Sequence, residues 1–247
     1  LTNVTVDDLL KVDEFHIGGR KATSSFIAKL NLKENSLVLD VGCGIGGPAR
    51  YSASKYNCDV IGVDLTNEYV DCGNELSGWV NLQSKVKLIA ASALDMPIDD
   101  GSIDSGYLMH VGMNISDKAT LFTELYRVLK PGSLFGIYDV MGDSASTLQF
   151  PLPWASKAEH SYLATIEEYK HLAKCAGFEV VSEINKREFA LEFFQQLEHH
   201  LKTDKGQSPQ LGLHILMKQT AKQKITNMIE NVRSGSISPV ELIVRKV

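Results

Sequence analysis

Apolar and polar positions alternate along the chain in two periods. Over "GGRKATSSFIAKLNL", Ala22, Phe26, Ile27 and Leu30 recur every three or four residues, which predicts a helix. "SLVLDVG" is a short and nearly continuous apolar run, the pattern of a strand buried on both faces of a sheet. "PARYSASKY" returns to the helical period, with Pro48 tolerated in the first turn. "DVIGVDL", "VKLIAAS", "SIDSGYLM" and "SLFGIYDV" read as further strands, and "NEYVDCGNELSGWVNLQ" and "DKATLFTELYRVL" as helices between them. Strand and helix in regular alternation predict right-handed crossovers and a doubly wound α/β sheet.

Beyond Val140 the rhythm changes. "MGDSASTLQFPLPWASKAEHS" reads as a loop carrying Pro151, Pro153, Phe150 and Trp154. "TIEEYKHLAKCAGF" is a helix with Gly177 as its cap, and "EVVSEIN" a sixth strand. Two helices follow, "EFALEFFQQLEHHLKT" and "HILMKQTAKQKITNMIENVRSG", around a polar "DKGQSPQ" turn; "VELIVRKV" is the seventh strand. The two late helices read as a lid inserted before the last strand. The expected organisation is one domain: N-terminal cap helices over 1–36, a core over 37–186, the lid over 187–238 and the final strand over 239–247.

At 247 residues the chain can bury a substantial core. Its net charge of −5, with no block of Lys or Arg, argues against nucleic acid and anionic lipid as partners, because both are bound by neutralising phosphates. No apolar run suffices to span a bilayer, and "LTNVTVDDLLKVDEF" lacks the basic start and apolar core of a signal peptide. The missing Met suggests a trimmed start. Cys43, Cys58, Cys72 and Cys175 show no ligand spacing, so reduced thiols in a cytoplasmic protein are expected. His199 and His200 fall on different helical faces with no acid or Cys at ligand spacing, so no metal is expected. A homodimer is left open.

The chemistry gathers at "VLDVGCGIGGPAR". Gly42, Gly44 and Gly47 satisfy a GxGxxG spacing between a strand and a helix, where a ligand can approach the backbone closely. Two ligands compete. A dinucleotide would lay its pyrophosphate on the turn, beside a carboxylate at Asp40 that repels it. S-adenosylmethionine has no phosphate and brings an ammonium, which Asp40 attracts through charge-assisted hydrogen bonds. Asp64 ends the second strand, where an acid accepts ribose hydroxyls from either ligand. Asp40 therefore favours the sulfonium cofactor.

"VLDVGCGIGG", "VIGVDL", "SALDMP" and "RVLKPGS", in this order and spacing, resemble the successive motifs of class I S-adenosylmethionine-dependent methyltransferases, from about residue 13 to residue 183. "FHIGGRKAT" is similar more narrowly to the small-molecule N-methyltransferases of the sarcosine/dimethylglycine and phosphoethanolamine type. The resemblance implies a Rossmann-like seven-stranded sheet and S-adenosyl-L-methionine as cofactor, leaving as S-adenosyl-L-homocysteine. It places Asp40, Gly42 and Gly44 around the amino acid end, Asp64 on the ribose, and Leu65 against the adenine. Ala93 and Leu94 would flank the adenine edge, and Met109 would offer its backbone to the methionine end. Phe15 and His16 match residues that close over the cofactor. Many relatives carry an acid where this chain has Ser92; Asp95 is either its substitute or a helix cap.

Methyl transfer needs alignment and exclusion of water, and a base when the acceptor is a hydroxyl. In "YLMHVGMNISDK", His110 is the candidate base and Asn114 a candidate orienting group. The resembling N-methyltransferases have an acid and a histidine four apart there; this chain has His110 and Asn114 instead. "QFPLPWASKAEHSYL" is the candidate substrate wall, with Trp154 and Tyr162 (and Phe150) either caging an amine, lining an apolar pocket, or anchoring the lid. His160 is a candidate titrating group or a solvated helix-end histidine. The stripe Phe189, Leu191, Phe193, Phe194 and Leu197 reads mostly as lid packing. The expected function is methylation of a small molecule at N or O. A tRNA methyltransferase, and a cofactor-binding protein with redirected or absent transferase activity, are the alternatives.

Overall fold

The computed structural model describes residues 4–142, 148–203 and 220–247. The predicted "DKGQSPQ" turn, and the start of the second lid helix before residue 220, lie outside them. The helices are α1 (Leu10–Asp13), α2 (Gly19–Ile27), α3 (Gly47–Tyr56), α4 (Asn67–Trp79), α5 (Lys118–Val128), α6 (Ile166–Ala176), α7 (Arg187–Thr203) and α8 (Ala221–Ser234). The strands are β1 (Leu37–Val41), β2 (Asp59–Asp64), β3 (Val86–Ala90), β4 (Ile103–Met109), β5 (Leu129–Gly142), β6 (Phe178–Asn185) and β7 (Ile237–Lys246).

The strands form one seven-stranded sheet in the order β3-β2-β1-β4-β5-β7-β6. β1 pairs in parallel with β2 and with β4, so the chain reverses direction across the sheet at β1. Open α/β sheets bind ligands at such a switch point, outside the carboxyl ends of the strands. Two apolar layers fix the register. Val38, Val60, Tyr107 and Tyr138 pack with α2 and α3, while Leu39, Val41, Leu108 and Ile137 pack with α5 and α6. The continuous apolar run of β1 thus serves both faces, and Asp40 is the polar exception within it.

β7 is antiparallel to both of its neighbours. α7 and α8 stand at the carboxyl ends of the strands, so the chain re-enters the sheet from that end: Ile237 pairs with Gly142, the last residue of β5. Entry from the top leaves only the antiparallel direction. The lid has a core of its own, in which Ala190, Phe194, Met228 and Val232 meet Ile17, Met113 and Leu152. Asn231 ties the 148–154 segment to α8 by accepting from Gln149 N at 3.0 Å and donating to Gln149 O at 3.0 Å, and Asn227 donates to Pro151 O at 3.0 Å. Gly177 caps α6 with φ 104°, as the sequence predicts.

Candidate active site

The turn after β1 is built by its own hydrogen bonds. Gly42 N and Cys43 N donate to Val63 O (2.7 and 3.1 Å), Gly46 N donates to Cys43 O (2.8 Å), and Gly44 N donates to Asp64 Oδ2 (2.9 Å). Those four amides are spent inside the protein, so they do not form a cradle for a pyrophosphate. Gly42 is required twice over: its φ is +70°, and a Cβ would stand 2.3 Å from Val111 Cγ2. At Gly44 (φ +53°) a Cβ would meet nothing within 4 Å, so the backbone there lies open to a ligand.

This turn borders a cavity of about 730 Å³ that runs from the carboxyl ends of β1, β2 and β4 to the lid helices. That volume lies within the range of ligand sites, ~300–1,000 Å³. Asp13, Glu14, Asp40 and Asp64 line one end. Asp40 is 2% exposed, and its Oδ2 has no hydrogen-bond partner. Burial, above all, pushes its carboxyl up to about 8; the neighbouring Asp64 and Glu14 push the same way, and the Tyr107 hydroxyl opposes them. Asp64 is held differently, with Oδ1 accepting from Thr66 N at 2.9 Å and Oδ2 from Gly44 N.

The segment before α2 closes the acidic end. Arg50 is fully buried; it donates to Asp13 Oδ2 (2.9 Å), Gly73 O (3.1 Å) and Ser77 Oγ (3.3 Å). Asp13 Oδ1 is buried without a partner, and burial raises this acid to about 6 against the pull of Arg50. Glu14 accepts from Arg20 Nε and Thr23 Oγ1, each at 2.5 Å. Phe15, 41% exposed, and His16 line the cavity beside them. His16 Nε2 lies 2.9 Å from Thr23 Oγ1 and 3.2 Å from Gly19 O, and burial lowers its pKa to about 4.

β4 ends at Met109, and the chain turns at His110 with φ +56°. A left-handed conformation costs a non-glycine residue roughly 1–2 kcal/mol, so the histidine is held there against a local preference. Its ring stands 5.9 Å from that of His16 and 5.0 Å from that of Tyr138; its Nε2 is buried without a partner. Burial, then the nearby His16, keeps it well below the usual histidine range, hence neutral at neutral pH. Asn114 closes the turn by donating to Val111 O at 3.2 Å. Beneath it, Tyr169 donates to Asp139 Oδ2 at 2.7 Å, and Lys118 donates to Ile115 O at 2.9 Å and to Tyr162 O.

The cavity gathers most of the residues expected from the sequence: Phe15, His16, Asp40, Gly42, Gly44, Asp64, Leu65, Ser92, Ala93, Leu94, Met109, His110, Asn114 and Trp154. Leu65 is 78% exposed at its rim. Ser92 Oγ accepts from Leu94 N at 3.1 Å and shapes the turn, and Asp95 does not line the cavity. Two substrate candidates fall outside it. His160 is solvated and 3.4 Å from Glu159, and Tyr162 is half-exposed, tied to Met113 O through its backbone N (2.9 Å). Their loop turns away after Trp154, whose Nε1 donates to Ser161 Oγ at 2.9 Å. Phe150 packs in the lid core, as an anchor. His199 is exposed, the side chain of His200 lies outside the described residues, and no cluster of three metal-ligating side chains occurs among the described residues.

Sequence reasoning missed Asp13 and Glu14 as cavity residues, and Ile17, Met113, Ile225 and Met228 as its apolar wall. The acids had a signal, since "VDEF" sets two carboxylates directly before the Phe15 already singled out. The wall had none: a helix stripe facing a cavity has the same period as one facing a core.

A seven-stranded sheet with β7 reversed, a glycine turn after β1 and acids at the ends of β1 and β2 define the class I methyltransferase fold. A family model described as a methyltransferase domain matches residues 39–137. The chain is 33% identical over 129 residues to sterol 24-C-methyltransferase of Candida albicans, covering 50% of this chain and 34% of that one. It is 31% identical over 182 residues to phosphoethanolamine N-methyltransferase 1 of Arabidopsis thaliana, covering 73% and 36%. The solved structure of Haemonchus contortus phosphoethanolamine N-methyltransferase 2 with S-adenosyl-L-methionine aligns with a TM-score of 0.81 at 22% identity, covering 99% of this chain and 58% of that one. Residues 39–137 thus match a methyltransferase domain, and the chain is similar to methyltransferases in sequence and in fold. It spans about a third of the length of the curated relatives it matches.

Proposed function

We propose that the chain is the catalytic domain of an S-adenosylmethionine-dependent enzyme that methylates N or O of a small-molecule acceptor. The observation that carries this reading is Asp40, a buried carboxylate with an open oxygen beside a glycine turn whose amides are already spent. That site suits an ammonium and disfavours a pyrophosphate. Asp40 would hold the ammonium, Asp64 the ribose hydroxyls, and Leu65, Ala93 and Leu94 the adenine; Ser92 would border its edge. Gly42, Gly44 and the Met109 backbone would receive the methionine end, and Phe15 and His16 would close over it. The cofactor, when bound, supplies an activated methyl group for in-line displacement.

The protein's own part is alignment, exclusion of water and handling of one proton. α7, α8 and the 148–154 segment roof the cavity, in keeping with one domain that carries a lid over 187–238. His110 lines the cavity, is neutral, and has a buried Nε2 without a partner, so on this reading it is the group that takes the proton of an acceptor hydroxyl. Asn114 and Trp154 border the same region. The absence of Lys and Arg from the described cavity lining weighs against tRNA. Free cysteines at 43, 58, 72 and 175 fit a reducing, cytoplasmic setting. No described helix is long and apolar enough to cross a membrane. The test is methyl transfer from tritiated S-adenosylmethionine over a panel of amines, alcohols, phenols and transfer RNA. Label in a small molecule supports the reading, and label confined to RNA overturns it.

A further inference from the structure

The cavity has two ends of opposite character. Four carboxylates stand at the sheet end, and Arg50 and Arg20, the cations behind them, are engaged by Asp13 and Glu14. The lid end is walled by Ile17, Met113, Phe193, Phe194, Ile225 and Met228, brought from the turn before α2, the turn after β4 and both lid helices. Trp154 adds its ring there, with its N–H already given to Ser161. No lysine or arginine lines the cavity among the described residues.

Resting on the methyl-transfer reading above, we propose that the lid end receives an uncharged, lipophilic acceptor that presents a hydroxyl toward His110, and that it excludes acceptors carrying a phosphate or carboxylate. An anion placed there would lose its hydration to apolar walls and find no cation among the described residues. A neutral ring or chain gains from the same walls, since removal of its apolar surface from water is favourable and the two methionines adapt to its shape. His110 lines the cavity, and its Nε2 is buried without a partner, the polar atom that a hydroxyl donor would complete. On this reading the acceptor is not phosphoethanolamine, although the chain resembles phosphoethanolamine N-methyltransferases in sequence and fold.

Calorimetric titration of the full chain with 4-octylphenol and with 4-octylphenyl phosphate, each with and without S-adenosylhomocysteine, tests this with one tail and two charges. The phenol is expected to bind at least about tenfold tighter than its phosphate. Met228→Arg should abolish phenol binding; Ile225→Arg, one helical turn away at a half-exposed position, does the same job if the first variant fails to fold. Both variants should keep S-adenosylhomocysteine affinity. Equal or tighter binding of the phosphate, or phenol binding indifferent to Ile225→Arg, overturns the proposal and leaves the methyl-transfer reading standing. Failure of S-adenosylhomocysteine to bind the unmodified chain overturns the methyl-transfer reading instead, and the phenol titrations still decide the character of the chamber.

Discussion

Replacing Asp40 with Asn should make the empty protein more stable and the enzyme useless. In the empty site the carboxyl titrates at about 8 against a reference of 3.8. At about pH 7 it is therefore mostly protonated when folded and ionised when unfolded, a difference that costs the fold on the order of 4 kcal/mol. The sign follows from the raised folded value: the penalty grows as pH rises from about 4 and levels off above about 8. Asn is neutral in both states and escapes it, but its amide must find partners where Oδ2 had none, which returns about 1–3 kcal/mol. A net gain of about 1–3 kcal/mol remains, or a melting temperature higher by roughly 2–10 °C for a chain of this size. Cofactor binding should move the other way. Loss of a charge-assisted bond to the ammonium costs about 2–3 kcal/mol, roughly 30- to 150-fold in affinity. In the unmodified protein, binding the cation expels the Asp40 proton. Affinity should rise by up to about tenfold per pH unit between about pH 6 and 7.5, and Asp40→Asn should flatten that slope. Thermal melts across pH and calorimetric titration with S-adenosylmethionine read both arms. Unchanged affinity in Asp40→Asn, with an unchanged pH slope of the melting temperature, refutes the reasoning.

Further consequences can be measured separately. His110→Ala should reduce turnover by about 10²- to 10⁴-fold while S-adenosylmethionine affinity stays within about threefold, and equal losses in both would move His110 to the cofactor. Because burial holds His110 well below the usual histidine range, turnover of the unmodified enzyme should show no loss near the ordinary histidine pKa as pH falls. Arg50→Met leaves Asp13 buried without its partner and should cost about 3–5 kcal/mol in urea denaturation at neutral pH, and less at acid pH, where Asp13 takes up a proton. Gly42→Ala should unfold or severely destabilise the domain because of Val111, whereas Gly44→Ala should cost only about 1–2 kcal/mol of left-handed strain.

How much of this was legible in the sequence differs by element. The strands were, because β1 to β5 are short, largely apolar runs that alternate with helical periods, which predicts a doubly wound sheet. Asp40 stood out as a candidate, because an acid interrupting the apolar run of β1 beside a glycine turn is costly without a function, and the fold sets it at the cavity. The protonated state of Asp40 in the empty site was not legible: that depends on burial and on Asp64 and Glu14, which only the fold brings near. The direction of β7 depends on where the lid delivers the chain. His160 and Tyr162 were assigned to the pocket by closeness to Trp154 in sequence, and the path of an irregular segment is set by its tertiary contacts. The apolar wall was hidden for another reason, since a helix stripe that faces a cavity has the same period as one that faces a core.

The central claim is that the pocket is built for a cationic nucleoside. Parallel calorimetric titrations of the unmodified chain with S-adenosylmethionine and with NAD test it most directly. The account predicts saturable binding of S-adenosylmethionine and none of NAD. Saturable NAD binding, with no heat from S-adenosylmethionine, would contradict it.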